Sequence, residues 1–254
     1  MSEIEWIRKW RDKKMNAVVE KGIEKVKRSH KEKLLMSFMA GAIIAFAYIP
    51  MIKLTDMFGG NVGLLLGSFL FPIGLFLILY MGGELVTGNM TVVGIAYLKG
   101  KVSFKDMILN WIEIFFGNIL GALFAMLVLG LGSNLLQDYI PIMETMARGK
   151  LNVTPLQAVL SGIGCNWFVG LAVLFYYKYK QGIIQFVGIY LPIAIFVLIG
   201  FQHCVANVAL FIIPLFMKMI LFKSVLINVT WVTLGNILGG LIFVGYFNTT
   251  TSQV

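Results

Sequence analysis

Gly117-Asn118-Ile119-Leu120-Gly121 recurs as Gly235-Asn236-Ile237-Leu238-Gly239, an offset of 118 between residues 117 and 235. The same offset carries Phe104-Lys105 onto Phe222-Lys223, Asn110 onto Asn228, and Asn89 onto Asn207. The chain is therefore a duplicated unit. Three long apolar runs separate each pair of matching points, and three is odd. If every run crosses a bilayer, the second copy lies inverted relative to the first. Inverted repeats of this kind place a solute site near the membrane midplane, where the two copies meet.

Hydrophobic residues make up 59% of 254 residues, charged residues 13%, and the mean hydropathy is +0.86. This composition lies outside that of an ordinary water-soluble domain. A spanning helix needs about 20 mostly apolar residues. Six stretches meet that length, at 35–55, 62–83, 104–133, 155–177, 182–200 and 224–247. They are too long and too uniformly apolar for alternating barrel strands. Two shorter pieces, 90–98 and 206–216, follow the second and fifth runs and read as the second halves of broken helices. The expected fold is an all-α membrane protein of six transmembrane helices in two inverted three-helix repeats. Its expected divisions are an N-terminal arm at 1–34, a first repeat at 35–133, an outer loop at 134–154, a second repeat at 155–248 and a tail at 249–254.

The charged first 34 residues, followed by a run of full spanning length, do not read as a cleavable signal peptide. In that arm Ile4, Ile7, Val18, Ile23 and Val26 stand among Arg8, Lys9, Arg11, Lys13, Lys14, Lys21, Lys25, Lys27 and Arg28. Such a basic amphipathic helix suits a headgroup layer, as an orienting arm or as a gate. Basic residues cluster there, across Lys99 to Lys105, and at Lys178 and Lys180. The positive-inside rule then puts those loops and the N-terminus in the cytoplasm, six crossings return the C-terminus there, and the expected location is the inner membrane. Lys53, Arg148, Lys150, Lys218 and Lys223 fall outside, where they attract anions. The net charge of +9 is mostly a topology signal, and because it flanks spans it does not read as a nucleic-acid surface. Cys165 and Cys204 lie within spans and imply neither a disulfide framework nor a metal site. With no nucleophile beside a base, no metal cluster and no phosphate loop, an enzyme is the least favoured class, and neither cofactor nor metal is expected.

A helix interrupted inside hydrocarbon leaves amide and carbonyl groups that must face protein or a wet cavity. Both copies carry such an interruption: Gly82-Gly83-Glu84-Leu85-Val86-Thr87-Gly88-Asn89 and Gly200-Phe201-Gln202-His203-Cys204-Val205-Ala206-Asn207. Asn89 and Asn207 are expected to cap the half-helices that follow. Each half-helix then turns its positive dipole end inward, and two such ends converge on a place suited to a small anion. His203, the one histidine outside the arm, sits there beside Gln202. It is expected to donate a hydrogen bond to a passing anion and to lend it a proton, since histidine changes charge near neutral pH. Glu84 would repel an anion, so it is expected to point away and tie down backbone amides or a neighbouring helix. The Gly-x-x-x-Gly pairs signal close helix contact, with Asn118 and Asn236 bonding across helices.

Glu84-Leu85-Val86-Thr87-Gly88-Asn89, Gln202-His203-Cys204-Val205-Ala206-Asn207, Cys165-Asn166-Trp167 and the inverted repeat together resemble the formate/nitrite transporter family over nearly the whole chain after residue 30. The resemblance implies an aquaporin-like protomer, five of which form a homopentamer with one pore in each. By position it makes His203 the central pore histidine, Thr87 the hydrogen-bonding residue opposite, and Asn166 the partner that orients the ring. It makes Leu75 and Leu85 the cytoplasmic constriction, Phe71 and Phe196 the outer one, and Lys150 the lysine of the outer funnel. Gln202 departs from the family, many of whose formate channels carry glutamate before the histidine.

The expected function is a channel or proton-linked transporter for small monovalent weak-acid anions: formate, hydrosulfide or nitrite. Apolar rings disfavour hydrated and divalent ions, which cannot shed water cheaply, whereas a weak acid can cross protonated. Gln202 and the basic outer funnel lean toward hydrosulfide or formate. Two alternatives stand beside this reading. One is an aquaporin-like neutral-solute channel, although Asn89-Met90-Thr91 and Asn207-Val208-Ala209 lack its Asn-Pro-Ala signature. The other is a membrane anchor for a redox complex, held through the basic arm.

Overall fold

The computed structural model describes residues 3–179 and 182–250, and every regular element among them is helical. Lys180 and the tail beyond residue 250 lie outside the described residues, as do the side chains of Ile4, Ile7 and Arg8.

The first half opens with α1 (Glu3–Lys27) and then α2 (His30–Phe58). Helix α2 starts where Ser29 and Glu32 close a capping box, each side chain accepting the other's backbone N–H. Helices α3 (Gly60–Leu70) and α4 (Pro72–Tyr80) form the next crossing, with Pro72 at their junction. The chain then unwinds and restarts as the short α5 (Val86–Leu98). Helix α6 (Phe104–Leu123) follows and widens into a π-helical stretch, Phe124–Leu131.

The second half repeats this order. Helix α7 (Ile140–Leu151) precedes α8 (Pro155–Lys178), which begins at a Thr154–Gln157 capping box. Helices α9 (Ile183–Ile199) and α10 (Cys204–Phe216) meet at a bend of 51°. Helix α11 (Phe222–Leu238) again runs into a π-helical stretch, Gly239–Tyr246, before the short α12 (Phe247–Thr250).

The repeated glycines set the helix pairs. A Cβ at Gly121 would lie 1.8 Å from the carbonyl oxygen of Phe38 on α2, and one at Gly239 would lie 2.5 Å from that of Ile163 on α8. Backbones this close exclude any side chain, so α6 lies on α2 and α11 on α8 in matching ways.

Among the described residues five helices are long and apolar enough to cross a membrane, and α9 with α10 makes up to six. Leu109, Ile112 and Phe116 on α6, Leu160 on α8, and Leu191 and Ile195 on α9 face outward. Outward-facing apolar side chains on this scale need lipid or another apolar surface to cover them. The chain is a multi-pass membrane protein.

The arm differs from expectation. Met15, Val18 and Val19 of α1 are buried, and Gly22 abuts the carbonyl of Val92 on α5. The described apolar face of α1 thus covers the end of α5 rather than meeting a headgroup layer, because α5 would otherwise present its own apolar side chains there.

Candidate functional site

Both interruptions are present, and both are shorter than the sequence implied. The chain is non-helical at 81–85 and 200–203, turning at Gly82 (φ +72°) and Gly200 (φ +88°), where a side chain would be strained. Helices α5 and α10 begin at Val86 and Cys204. Asn89 and Asn207 are therefore not caps. Each is the fourth residue of its helix, its N–H bonded to the carbonyl of Leu85 or His203.

The exposed helix starts are satisfied by Asn118 and Asn236 instead. Asn118 Oδ1 accepts the Val86 N–H at 3.0 Å, while its Nδ2 donates to Glu84 O at 2.8 Å and Ser37 O at 2.8 Å. Asn236 Oδ1 accepts the Cys204 N–H at 2.9 Å, and its Nδ2 donates to Gln202 O at 3.1 Å and Gly162 O at 2.9 Å. The two sets are copies under the repeat. One buried amide thus joins the interruption to two helices and leaves no orphan at that point.

A second pair of networks holds the side chains. Asn89 Nδ2 donates to Glu84 Oε2 at 2.7 Å and Asn110 Oδ1 at 3.0 Å. Asn207 Nδ2 donates to Gln202 Oε1 at 2.7 Å and Asn228 Oδ1 at 3.0 Å. Glu84 is wholly buried and does tie down a neighbouring helix, with partners that sequence reasoning missed: Lys25 Nζ at 2.8 Å and Arg28 Nη1 at 2.5 Å. Both belong to the arm. The basic run contained the signal, but nothing in it singled out those two positions.

The two helix starts face each other. Thr87 Oγ1 and His203 Nε2 are 2.9 Å apart and buried. The Ala206 N–H donates to His203 Nδ1 at 3.2 Å, so the proton of the neutral ring sits on Nε2 and is given to Thr87. Two consequences follow. The Thr87 hydroxyl hydrogen is left available to a passing solute, and a second ring proton at Nδ1 would point straight at the Ala206 N–H. The expectation that His203 lends a proton is not supported by this arrangement.

Asn166 does not bond the ring. Its Nδ2 donates to Thr87 O at 3.2 Å and Asn236 O at 2.7 Å, and its Oδ1 is buried without a partner. It acts on the imidazole one step removed, by holding the backbone of Thr87.

Phe71 and Phe196 pack edge to face with centroids 6.3 Å apart, and Phe196 lies 6.3 Å from the imidazole, nearly parallel to it. All three line one cavity of about 530 Å³, together with Tyr48, Thr55 and Lys150. The phenylalanines narrow this space without separating it from His203. Leu75 and Leu85 border only a void of about 10 Å³, shared with Lys25 and Tyr177. That is about one water-sized probe. Beyond it opens a cavity of about 720 Å³ lined by Lys21, Lys25, Arg28 and Tyr80. Lys150 donates to Gly200 O at 2.9 Å, and burial holds its ammonium below the ordinary lysine value. Among the described residues no cluster of His, Cys, Asp and Glu could hold a metal.

Two cavities, the narrow void at Leu75 and Leu85 between them and a pair of opposed helix starts within a multi-pass membrane fold are the arrangement of a membrane channel or transporter. The Formate/nitrite transporter family model matches residues 12–250. "Formate channel BtFdhC" of Bacillus thuringiensis is 34% identical over 234 residues, covering 90% of each chain. A solved "FNT family ion channel" superposes with a TM-score of 0.87 at 25% identity, over 94% of this chain and 99% of that one. A "Pentameric formate channel with formate bound" does so with a TM-score of 0.74 at 27% identity, over 88% and 98%. The chain belongs to the formate/nitrite transporter family.

Proposed function

We propose that the chain forms a homopentamer in the cytoplasmic membrane, both termini inside, whose protomers each conduct small monovalent weak-acid anions, formate foremost. The observation that carries this reading is the Thr87–His203 contact at 2.9 Å, set between Leu75 and Leu85 on one side and Phe71 and Phe196 on the other. Formate is put first because a formate channel is 34% identical across most of the chain and a formate-bound channel shares its fold. Support for the pentamer comes from that same formate-bound channel, which is pentameric, and from the apolar outer surface of this chain.

An anion drawn into the outer chamber meets a lysine and then a hydroxyl donor. The leucine seal admits it poorly as an ion, since desolvating a charge there is costly. The acid crosses once protonated, the proton entering from the bulk solution with the anion and being released to the solution on the far side, because the His203 Nε2 proton is committed to Thr87. Transport without chemical conversion follows.

The test is flux into proteoliposomes of formate, nitrite, hydrosulfide and chloride across a range of pH. Wild type is compared with His203→Ala and Thr87→Ala. Formate is expected to pass fastest and chloride slowest, with both variants losing that order. Selectivity unchanged in both variants would remove the pair from the mechanism.

A further inference from the structure

We propose that the Tyr48 hydroxyl is the donor that receives an oxyanion's oxygen beside Phe71 and Phe196, which makes Tyr48 a determinant of the preference for carboxylates over chloride. The proposal rests on the channel reading above and deepens it.

The position is one half of a repeated pair. The carbonyl of Phe38 on α2 meets Gly121, and that of Ile163 on α8 meets Gly239, so Phe38 and Ile163 are mates across the duplication. Ten residues further along each helix stand Tyr48 and Val173. Val173 borders the void of about 10 Å³ at Leu75 and Leu85, whereas Tyr48 lines the cavity of about 530 Å³ that holds Phe71, Phe196 and His203. Of the two mates, only the one on the His203 side carries a hydroxyl.

Tyr48 belongs to the aromatic constriction. Its ring meets Phe71 edge to face, with centroids 5.9 Å apart and 88° between the planes. Phe71 meets Phe196 in the same way and Phe196 lies along the imidazole, so four rings form one unbroken row. At one end of the row is His203, bonded to Thr87, and at the other a phenol. Tyr48 is only 6% exposed, yet its hydroxyl has no hydrogen-bond partner among the described residues. A buried tyrosine hydroxyl ordinarily finds one, and what occupies the cavity is left to supply it. Other donors lining that cavity are committed: Thr145 to Pro141 O, Lys150 to Gly200 O, and Asn207 to Gln202 and Asn228. Thr55 stands seven residues along α2 from Tyr48, about 10 Å from the row.

An ion that sheds water at this constriction gets no hydrogen bond back from phenylalanine, and an uncompensated loss is costly. A phenol returns one, and a hydrogen bond to an ionised oxygen is stronger than one between neutral groups. Carboxylate oxygens are more basic than chloride, so the same donor favours formate. Thr87 offers the next hydroxyl, past the two phenylalanines.

The experiment records saturation curves for formate and for chloride in proteoliposomes. Wild type is compared with Tyr48→Phe and with a protein carrying a singly fluorinated tyrosine at position 48, which keeps the ring and strengthens the donor. Tyr48→Phe should raise the half-saturating formate concentration roughly three- to tenfold and lower the formate-to-chloride flux ratio by a similar factor. The fluorinated protein should shift both the other way. Wild-type values in Tyr48→Phe overturn the proposal. So does an equal loss for both ions, or a fluorinated protein that shifts with Tyr48→Phe, because disturbed packing produces either. Should Tyr48→Phe fail to fold, the fluorinated protein decides alone, and unchanged values in it overturn the proposal. Absence of formate conduction in the wild type overturns the channel reading instead.

Discussion

Lys25 Nζ lies 2.8 Å from Glu84 Oε2, and both side chains are buried. This contact fastens the first helix to the first interruption across 59 residues of sequence. Removing one partner of a buried pair leaves a charge without its counterion and costs about 3–5 kcal/mol. Arg28 remains beside Glu84, so Lys25→Met is expected at the lower end. Thermal unfolding in detergent should show the loss, and limited proteolysis should show earlier cutting of α1. An unchanged midpoint with an uncut arm would exclude the fastening role.

Asn118→Ala and Asn236→Ala each strand a backbone N–H and a carbonyl at the start of a half-helix. An unsatisfied buried group costs about 1–3 kcal/mol. Both variants should be strongly destabilised, and by similar amounts, because the two networks are copies. Asn89→Ala removes side-chain bonds alone and should cost less. Unfolding midpoints for the three proteins test that ranking.

Thr87→Ser retains the hydroxyl that accepts from His203 Nε2, whereas Thr87→Val keeps the size and loses the oxygen. Formate flux should therefore survive in the serine variant and fall by about tenfold or more in the valine variant, the scale of a lost hydrogen bond to a charged group. Equal flux in both would show that the hydroxyl plays no part.

Gly121→Ala places a Cβ 1.8 Å from the Phe38 carbonyl oxygen, and Gly239→Ala places one 2.5 Å from that of Ile163. Backbone cannot yield as a side chain can, so α6 must move off α2, at about 3 kcal/mol or more. Gly121→Ala should be the worse of the two, as read from the yield of folded oligomer on gel filtration.

Burial holds Lys150 below the ordinary lysine value, so its charge is present at low pH and is lost as pH rises through that lowered value. The half-saturating formate concentration measured from outside should climb on alkalinising the outer solution, at a lower pH than a free lysine would require. Lys150→Gln should reduce the climb to the part that protonation of the weak acid itself imposes. The same profile in wild type and Lys150→Gln would exclude this lysine as the outer charge.

Much of the site was legible as residue types in the right order. The glycines, Glu84, Thr87, Gln202 and His203 marked both interruptions because hydrocarbon tolerates polar groups and broken backbone only where something meets them. What met them was less legible. Asn89 and Asn207 resemble caps because they precede apolar half-helices, yet both lie inside their helices. The true partners, Asn118 and Asn236, look in sequence like packing residues beside their glycines. Asn166 resembles a ring-orienting residue and holds the Thr87 carbonyl instead.

The sequence by itself determined the duplication, the spans, the place of each interruption and the residue types available there. These follow from local length, hydropathy and glycine spacing, which act along a single helix. Only the tertiary structure decided which distant group satisfies each broken end, that α1 is clamped to Glu84, and that Lys150 faces its chamber with no acid nearby. Such partnerships depend on which helices the close glycine contacts bring side by side, and a linear pattern carries no record of that.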